Sequence, residues 1–166
     1  TSMSETPGGR RPLRIGALQR RYGGSANVDA DREATRRFDG QFNRWHLDPV
    51  FRGSYPDELR TIFGEGWPEF PAEDFSLIRQ PLDYLGVNYY TRAVTRHDPS
   101  VWPMATGRVR QPGHTYTATD WEVHPQGLTD VLTWVTRRYG PLPIYITENG
   151  AAFYDAPTAD GPLVED

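Results

Sequence analysis

An α/β fold with parallel strands is expected from three observations. Pro143 to Thr147 is a short apolar, β-branched run bounded by Gly140-Pro141 before it and Gly150 after it. That is the pattern of a strand buried on both faces, as in parallel sheets. Asp83 to Thr91 reads as a second strand, with Leu85 and Val87 on one face and Tyr84, Gly86, Asn88 and Tyr90 on the other. Between them, Gln126 to Tyr139 carries Leu128, Val131, Leu132, Val135 and Tyr139 as a helical stripe. Strand, long excursion, helix, strand is a βαβ unit, whose crossover is right-handed in almost all known cases.

The remaining elements follow in chain order. Residues 1–12 are small, polar and Gly/Pro-containing and are expected to be a tag-like, disordered N-terminus, with 13–166 as one domain. Leu13 to Leu18 reads as a short strand that Gln19 to Gly24 breaks. A helix is predicted from about Asp29 to Leu47. Ala30, Ala34, Phe38, Phe42 and Trp45 recur at helical spacing, with Asp31, Arg32, Arg36 and Arg37 turned outward. Asp29 is the expected N-cap and Pro49 the stop. A short helix over Ala72 to Ile78 has Glu73 and Asp74 in its first turn. Arg92 to Glu122 is expected to be a long, Pro/Gly-punctuated connection, of the kind that is usually functional or disordered. Arg137 and Arg138 suit the C-terminal end of the 126–139 helix, which Gly140 and Pro141 close.

Composition narrows the function classes. At 166 residues the chain buries one core, whereas a whole (β/α)8 barrel takes roughly 250. The net charge of -4 offers no electrostatic footprint for nucleic acid or anionic lipid. With no cysteine there is neither a disulfide framework nor thiol chemistry. No apolar run approaches the roughly 20 residues of a membrane span and no signal peptide opens the sequence, so a cytoplasmic protein is expected. Five Trp and nine Tyr are many for a core of this size, a composition that suits stacking of sugars. His46, His97, His114 and His124 lack metal-ligand spacing, and His46 and His124 are assigned to packing. The arginines from Arg10 to Arg21 read as a solvated basic segment.

The chemistry gathers at the strand ends, where active sites of α/β folds lie. Glu148 closes one strand, and Asn88 and Tyr90 share a face at the end of the other. Ile144, Ile146 and Glu148 share one parity in a regular strand. A phenol beside a carboxylate can fix its rotamer and keep it ionised. An amide can contact a substrate hydroxyl. Two readings stand level on these residues alone. One is the nucleophile side of a glycoside-hydrolysis site; in the other the tyrosines fill the core and Asn88 caps a turn. Glu122, considered as a second acid, precedes a helix and is assigned to dipole stabilisation or solvation.

Four ordered segments resemble family 1 glycoside hydrolases, the β-glucosidase family. They are Asp39-Gly40 through Asn43-Arg44-Trp45-His46-Leu47-Asp48-Pro49 with Gly53-Ser54-Tyr55-Pro56; Asp83 through Thr91; Asp120-Trp121-Glu122-Val123-His124-Pro125-Gln126-Gly127-Leu128; and Ile146-Thr147-Glu148-Asn149-Gly150. The resemblance spans about Asp29 to Asp155. It implies a partial (β/α)8 TIM barrel holding roughly strands five to seven with their helices. It implies Glu148 as catalytic nucleophile, Tyr90 orienting it, Asn88 as a contact near the glycone, and Trp121 as a stacking wall for the aglycone. The implied substrate is a β-glucoside or oligosaccharide, with no metal or organic cofactor.

The sequence also departs from that family. No Asn-Glu-Pro, the motif of the acid/base, occurs. The early glycone-binding Gln, His and Asn motifs and the late Trp-rich segment are missing. Ala17-Leu18-Gln19-Arg20-Arg21-Tyr22 replaces the expected ending of the fifth strand. A retaining mechanism needs two carboxyl groups about 5–5.5 Å apart, and the sequence supplies one. The isolated chain is therefore expected to be inactive. The alternative is a non-catalytic assembly or sugar-binding module, a homo-oligomer or one that completes a barrel with a complementary fragment.

Overall fold

Residues 28–154 are described in the computed structural model. The expected strand at 13–18, the basic stretch and the tag-like residues lie outside them. Helix α1 (Val28–Asp39) runs through a π-helical turn (Gly40–Arg44) into α2 (Trp45–Arg52). Helices α3 (Asp57–Phe63) and α4 (Ala72–Ile78) lead to β1 (Leu85–Asn88). Strands β2 (Thr95–His97) and β3 (Thr106–Arg108) precede α5 (Gln126–Tyr139) and β4 (Ile144–Glu148).

The βαβ unit is present. Strands β1 and β4 pair in parallel, with α5 in the connection between them. The core forms where Leu85 and Val87 of β1 meet Val131 and Val135 of α5 and Leu47 of α2. Leu85, Val87 and Leu47 are wholly buried, each burial stabilising by about 1.5–3 kcal/mol. Helices α4 and α5 keep the residue limits expected of them. Gly140, at φ 95°, ends α5.

The first helix departs from expectation, and the π turn is the reason. A π turn adds one residue per turn, so the buried stripe shifts around the axis. Around it, Asp39, Asn43, Arg44 and Asp48 face inward, while Phe42 is half exposed and stacks on Phe38. Pro49 lies inside α2 and does not stop it. The ring removes a single N–H bond and α2 continues to Gly53, whose φ of 71° makes the left-handed C-cap. Asp29 falls in the first turn of α1 and is not its N-cap. Asp31 and Arg37 do not turn outward. Asp31 is buried and accepts the His97 N–H at 2.8 Å, and Arg37 donates to the carbonyls of Met104 and Ala105.

Those contacts belong to a hairpin within residues 92–122, a segment expected to be without structure. Strands β2 and β3 pair antiparallel and lie against α1. The Thr35 and Thr95 hydroxyls meet at 2.9 Å, and the Thr106 hydroxyl donates to the Ala34 carbonyl. Hydroxyls of Thr tie the hairpin to the helix where an apolar stripe would ordinarily do so.

Buried charge joins the helices. The Arg44 Nε donates to Asp39 Oδ2 at 2.6 Å, and its Nη2 meets Glu58. Arg138 forks onto both oxygens of Asp48 at 3.1 and 3.2 Å, and the Tyr139 hydroxyl donates to the same carboxylate at 2.6 Å. Arg36 closes the set on Glu58 at 3.2 Å. A Cβ on Gly40 would stand 3.0 Å from Glu58 Oε1, which is why the turn carries glycine at this point.

Candidate active site at the carboxyl end of β1 and β4

The parallel pairing is regular from Leu85–Ile144 to Val87–Ile146, then shifts so that Asn88 is opposite Glu148. Thr147 is the extra residue, a β-bulge. In a regular strand Glu148 shares a side with Ile144 and Ile146, the side that continues the Leu85–Val87 core face. The shift breaks that parity. It brings Glu148 to Asn88 and Tyr90, so the expected common face of Ile144, Ile146 and Glu148 does not hold.

The Tyr90 hydroxyl donates to Glu148 Oε2 at 2.6 Å, the short distance of a charge-assisted bond. Tyr90 is 37% exposed, so the pair faces open space. Thr147 Oγ1 donates to Asn88 Oδ1 at 2.6 Å, and Asn88 is buried at 8% exposure. Asn149 Nδ2 donates to the Tyr89 carbonyl at 2.7 Å, tying the turn after β4 to the end of β1.

Trp121 completes the group. Its ring centroid lies 5.0 Å from that of Tyr90 at 45°, within the range of favourable aromatic pairs. Its backbone is fixed by exchange with Thr117, whose N–H donates to the Trp121 carbonyl and whose hydroxyl accepts the Trp121 N–H. The structure thus brings Glu148, Tyr90 and Trp121 into one cluster, with Asn88 on the same strand end.

Glu122 is neither a helix cap nor solvated. It is buried at 4% exposure and accepts a fork from Arg92 at 2.8 and 2.6 Å, with His114 Nδ1 2.6 Å from Oε1. Burial pushes its carboxyl up, but the Arg92 hydrogen bonds and charge, then His114, hold it below the usual carboxylate range. A carboxylate so held stays ionised and has no proton to give near neutral pH. Thr91 Oγ1 donates to the Glu122 carbonyl, so this ion pair anchors the segment that presents Trp121.

Behind the site, Tyr89 donates to the His124 carbonyl at 2.5 Å, and burial pushes its phenol up to about 12. The His124 ring, whose Nε2 is buried without a partner among the described residues, is held below its usual range by burial and by Arg92. His46 is exposed and does not pack as expected. No group of His, Cys, Asp and Glu suited to a metal ion occurs among the described residues, and no described helix is long and apolar enough to cross a membrane. Sequence reasoning gave no role to Thr147, Arg92 or His114. Thr147 was visible as a β-branched strand residue inside the Ile146–Gly150 motif but without a role, and the Arg92–Glu122 pairing spans 30 residues with no local signal.

Comparison with known proteins places the chain among relatives. The family model described as Glycosyl hydrolase family 1 matches residues 16–166. Beta-glucosidase A of Thermotoga maritima is 38% identical over 127 residues, 75% of this chain and 28% of that protein. Beta-glucosidase A of Acetivibrio thermocellus is 36% identical over 124 residues, 72% of this chain and 28% of that one. Among solved structures, the family 1 β-glucosidase of T. maritima superposes with a TM-score of 0.75 at 33% identity. It aligns with 90% of this chain, which covers 32% of its length. A β-glucosidase from Exiguobacterium marinum gives 0.76 at 31% identity, over 87% of this chain and 32% of that one. The chain therefore spans under a third of the length of these relatives, and its fold is a partial (β/α)8 barrel.

Proposed function

This chain belongs to glycosyl hydrolase family 1, and on that premise we propose that it carries the nucleophile half of a retaining β-glycosidase site acting on β-glucosides or oligosaccharides. Glu148 attacks the anomeric carbon and forms a glycosyl-enzyme ester, while the aglycone oxygen leaves with a proton from a second carboxyl group. Tyr90 holds the attacking carboxylate in one rotamer, Asn88 contacts the glycone, and Trp121 offers its face to the aglycone. The observation that carries this reading is the 2.6 Å bond from the Tyr90 hydroxyl to Glu148 at the carboxyl end of β4.

The proton donor is not among the residues at this site, since Glu122 is committed to Arg92. Loss of a general acid costs on the order of 10²–10⁴ in rate, so the isolated chain turns over little 4-nitrophenyl β-glucoside. Mixing it with a fragment that supplies the remaining barrel strands raises turnover, and Glu148→Gln removes the gain. Robust hydrolysis by the chain alone that survives Glu148→Gln sinks the assignment.

A second reading, an assembly module, has its own support. On β4, Tyr145 and Ile146 are 60% and 43% exposed, and Tyr154 beyond it is 93% exposed. Bare apolar strand faces invite another chain. This reading predicts a dimer or larger species by light scattering; a monomer with a cooperative melt counts against it.

A further inference from the structure

We propose that Thr147 is a positioning residue that fixes the orientation of the Asn88 amide, so that Asn88 meets substrate as a hydrogen-bond donor. This rests on the glycosidase reading of the site. An asparagine amide can present either its carbonyl or its NH2 group in the same volume, and the neighbours decide which. Here the Thr147 hydroxyl donates to Asn88 Oδ1 at 2.6 Å. With its oxygen taken, the amide turns Nδ2 away from Thr147. Asn88 is more than nine-tenths buried, and Nδ2 makes no hydrogen bond with any described residue but is not one of the wholly buried atoms left unpaired, so it keeps access to the open face of the site. An NH2 group that keeps solvent access at the site can exchange water for an acceptor carried by a ligand. The group fitted to accept is an oxygen brought by the ligand, a sugar hydroxyl beside Glu148.

The bulge supplies the hydroxyl. Because Asn88 is opposite Glu148 and not Thr147, two successive residues of β4 reach side chains of β1 and the segment that continues it. Thr147 reaches Asn88 and Glu148 reaches Tyr90. One irregularity thereby positions both the attacking carboxylate and the neighbouring donor. Thr supplies what Val, its nearest shape, cannot.

The test compares Thr147→Val with Thr147→Ser in the full chain. The side-chain amide resonances of Asn88 are followed by NMR. With the chain mixed with a fragment that supplies the remaining barrel strands, mass spectrometry follows labelling of Glu148 by 2,4-dinitrophenyl 2-deoxy-2-fluoro-β-glucoside, whose leaving group needs no acid. Thr147→Val is expected to move and broaden the Asn88 amide pair and to slow labelling about tenfold, the loss of about one hydrogen bond. Thr147→Ser is expected to restore both. Unchanged Asn88 resonances in Thr147→Val overturn the inference, whatever the labelling does. Should the chain mixed with a fragment that supplies the remaining barrel strands take no label while the Asn88 resonances respond as described, the lock stands and the glycosidase reading fails. If Thr147→Val unfolds the chain, the serine variant decides: native Asn88 resonances support the lock, and altered ones refute it.

Discussion

Replacing Glu122 by Gln keeps the side-chain shape and removes its charge, and the structure sets the size of the effect. Arg92 is 2% exposed and Glu122 4%, and two hydrogen bonds of 2.8 and 2.6 Å join them. In the variant the buried guanidinium loses its bidentate carboxylate. Removing one partner of such a pair costs about 3–5 kcal/mol. For a chain of this size each kcal/mol lowers the melting temperature by about 2–4 °C, so a fall of about 6–20 °C is expected. Circular dichroism melts at neutral pH measure it. A double substitution to apolar residues, Arg92→Met with Glu122→Leu, is expected to recover most of the loss, because nothing charged is then left in place. The pH dependence gives an independent check. Burial raises the Glu122 carboxyl, but Arg92 and His114 hold the folded-state value below the ordinary one of about 4.3. The stabilisation is therefore present above about pH 4.3 and is lost as pH falls through the lower folded value. The gap between wild type and Glu122→Gln should close in that window. A variant melting within about 2 °C of wild type, against the expected fall, or a gap that persists in acid, would refute the reasoning.

Two further substitutions probe the support of the site. In Gly127→Ala the added Cβ meets Tyr89 Cζ at 2.9 Å, against a ring only 3% exposed and hydrogen-bonded to His124. Overpacking there is expected to cost about 1–3 kcal/mol in urea unfolding, with an unchanged midpoint as the contrary result. Tyr139→Phe removes the 2.6 Å bond to Asp48 and leaves a buried carboxylate one donor short, a loss of about 1–3 kcal/mol by the same measurement. In the unmodified chain burial and then Asp48 push the Tyr139 phenol far above its ordinary value. Its absorbance should therefore titrate only with alkaline unfolding, and a normal titration in the folded chain would contradict the burial.

Much of the fold was legible because apolar periodicity reports burial directly. Helix α5 and the paired strands follow from Leu85, Val87, Val131 and Val135, all of which reach the core. The helix before them misled because helical spacing assumes an unbroken 3.6-residue turn. Around one π turn Asp39, Asn43 and Arg44 face inward and Phe42 outward. The hairpin over 95–108 was invisible because threonine hydroxyls and buried charge hold it to α1, and these leave no apolar alternation. At the site, Glu148, Tyr90 and Trp121 could be named from motif resemblance and do cluster. The roles of Thr147 and Arg92 could not, since a bulge and a contact 30 residues apart depend on register, which local sequence does not encode.

The ionic set joining the helices constrains how this chain can change. Arg36, Arg44, Arg52 and Arg138 stand against Asp39, Asp48 and Glu58, four cations on three anions. Arg44, Asp39, Asp48 and Glu58 are all buried. Losing one of these four leaves a buried partner charge uncompensated, whereas losing two of opposite sign does not. Viable descendants at these positions are therefore separated by paired replacements. Drift through single changes is blocked even where each final combination would fold.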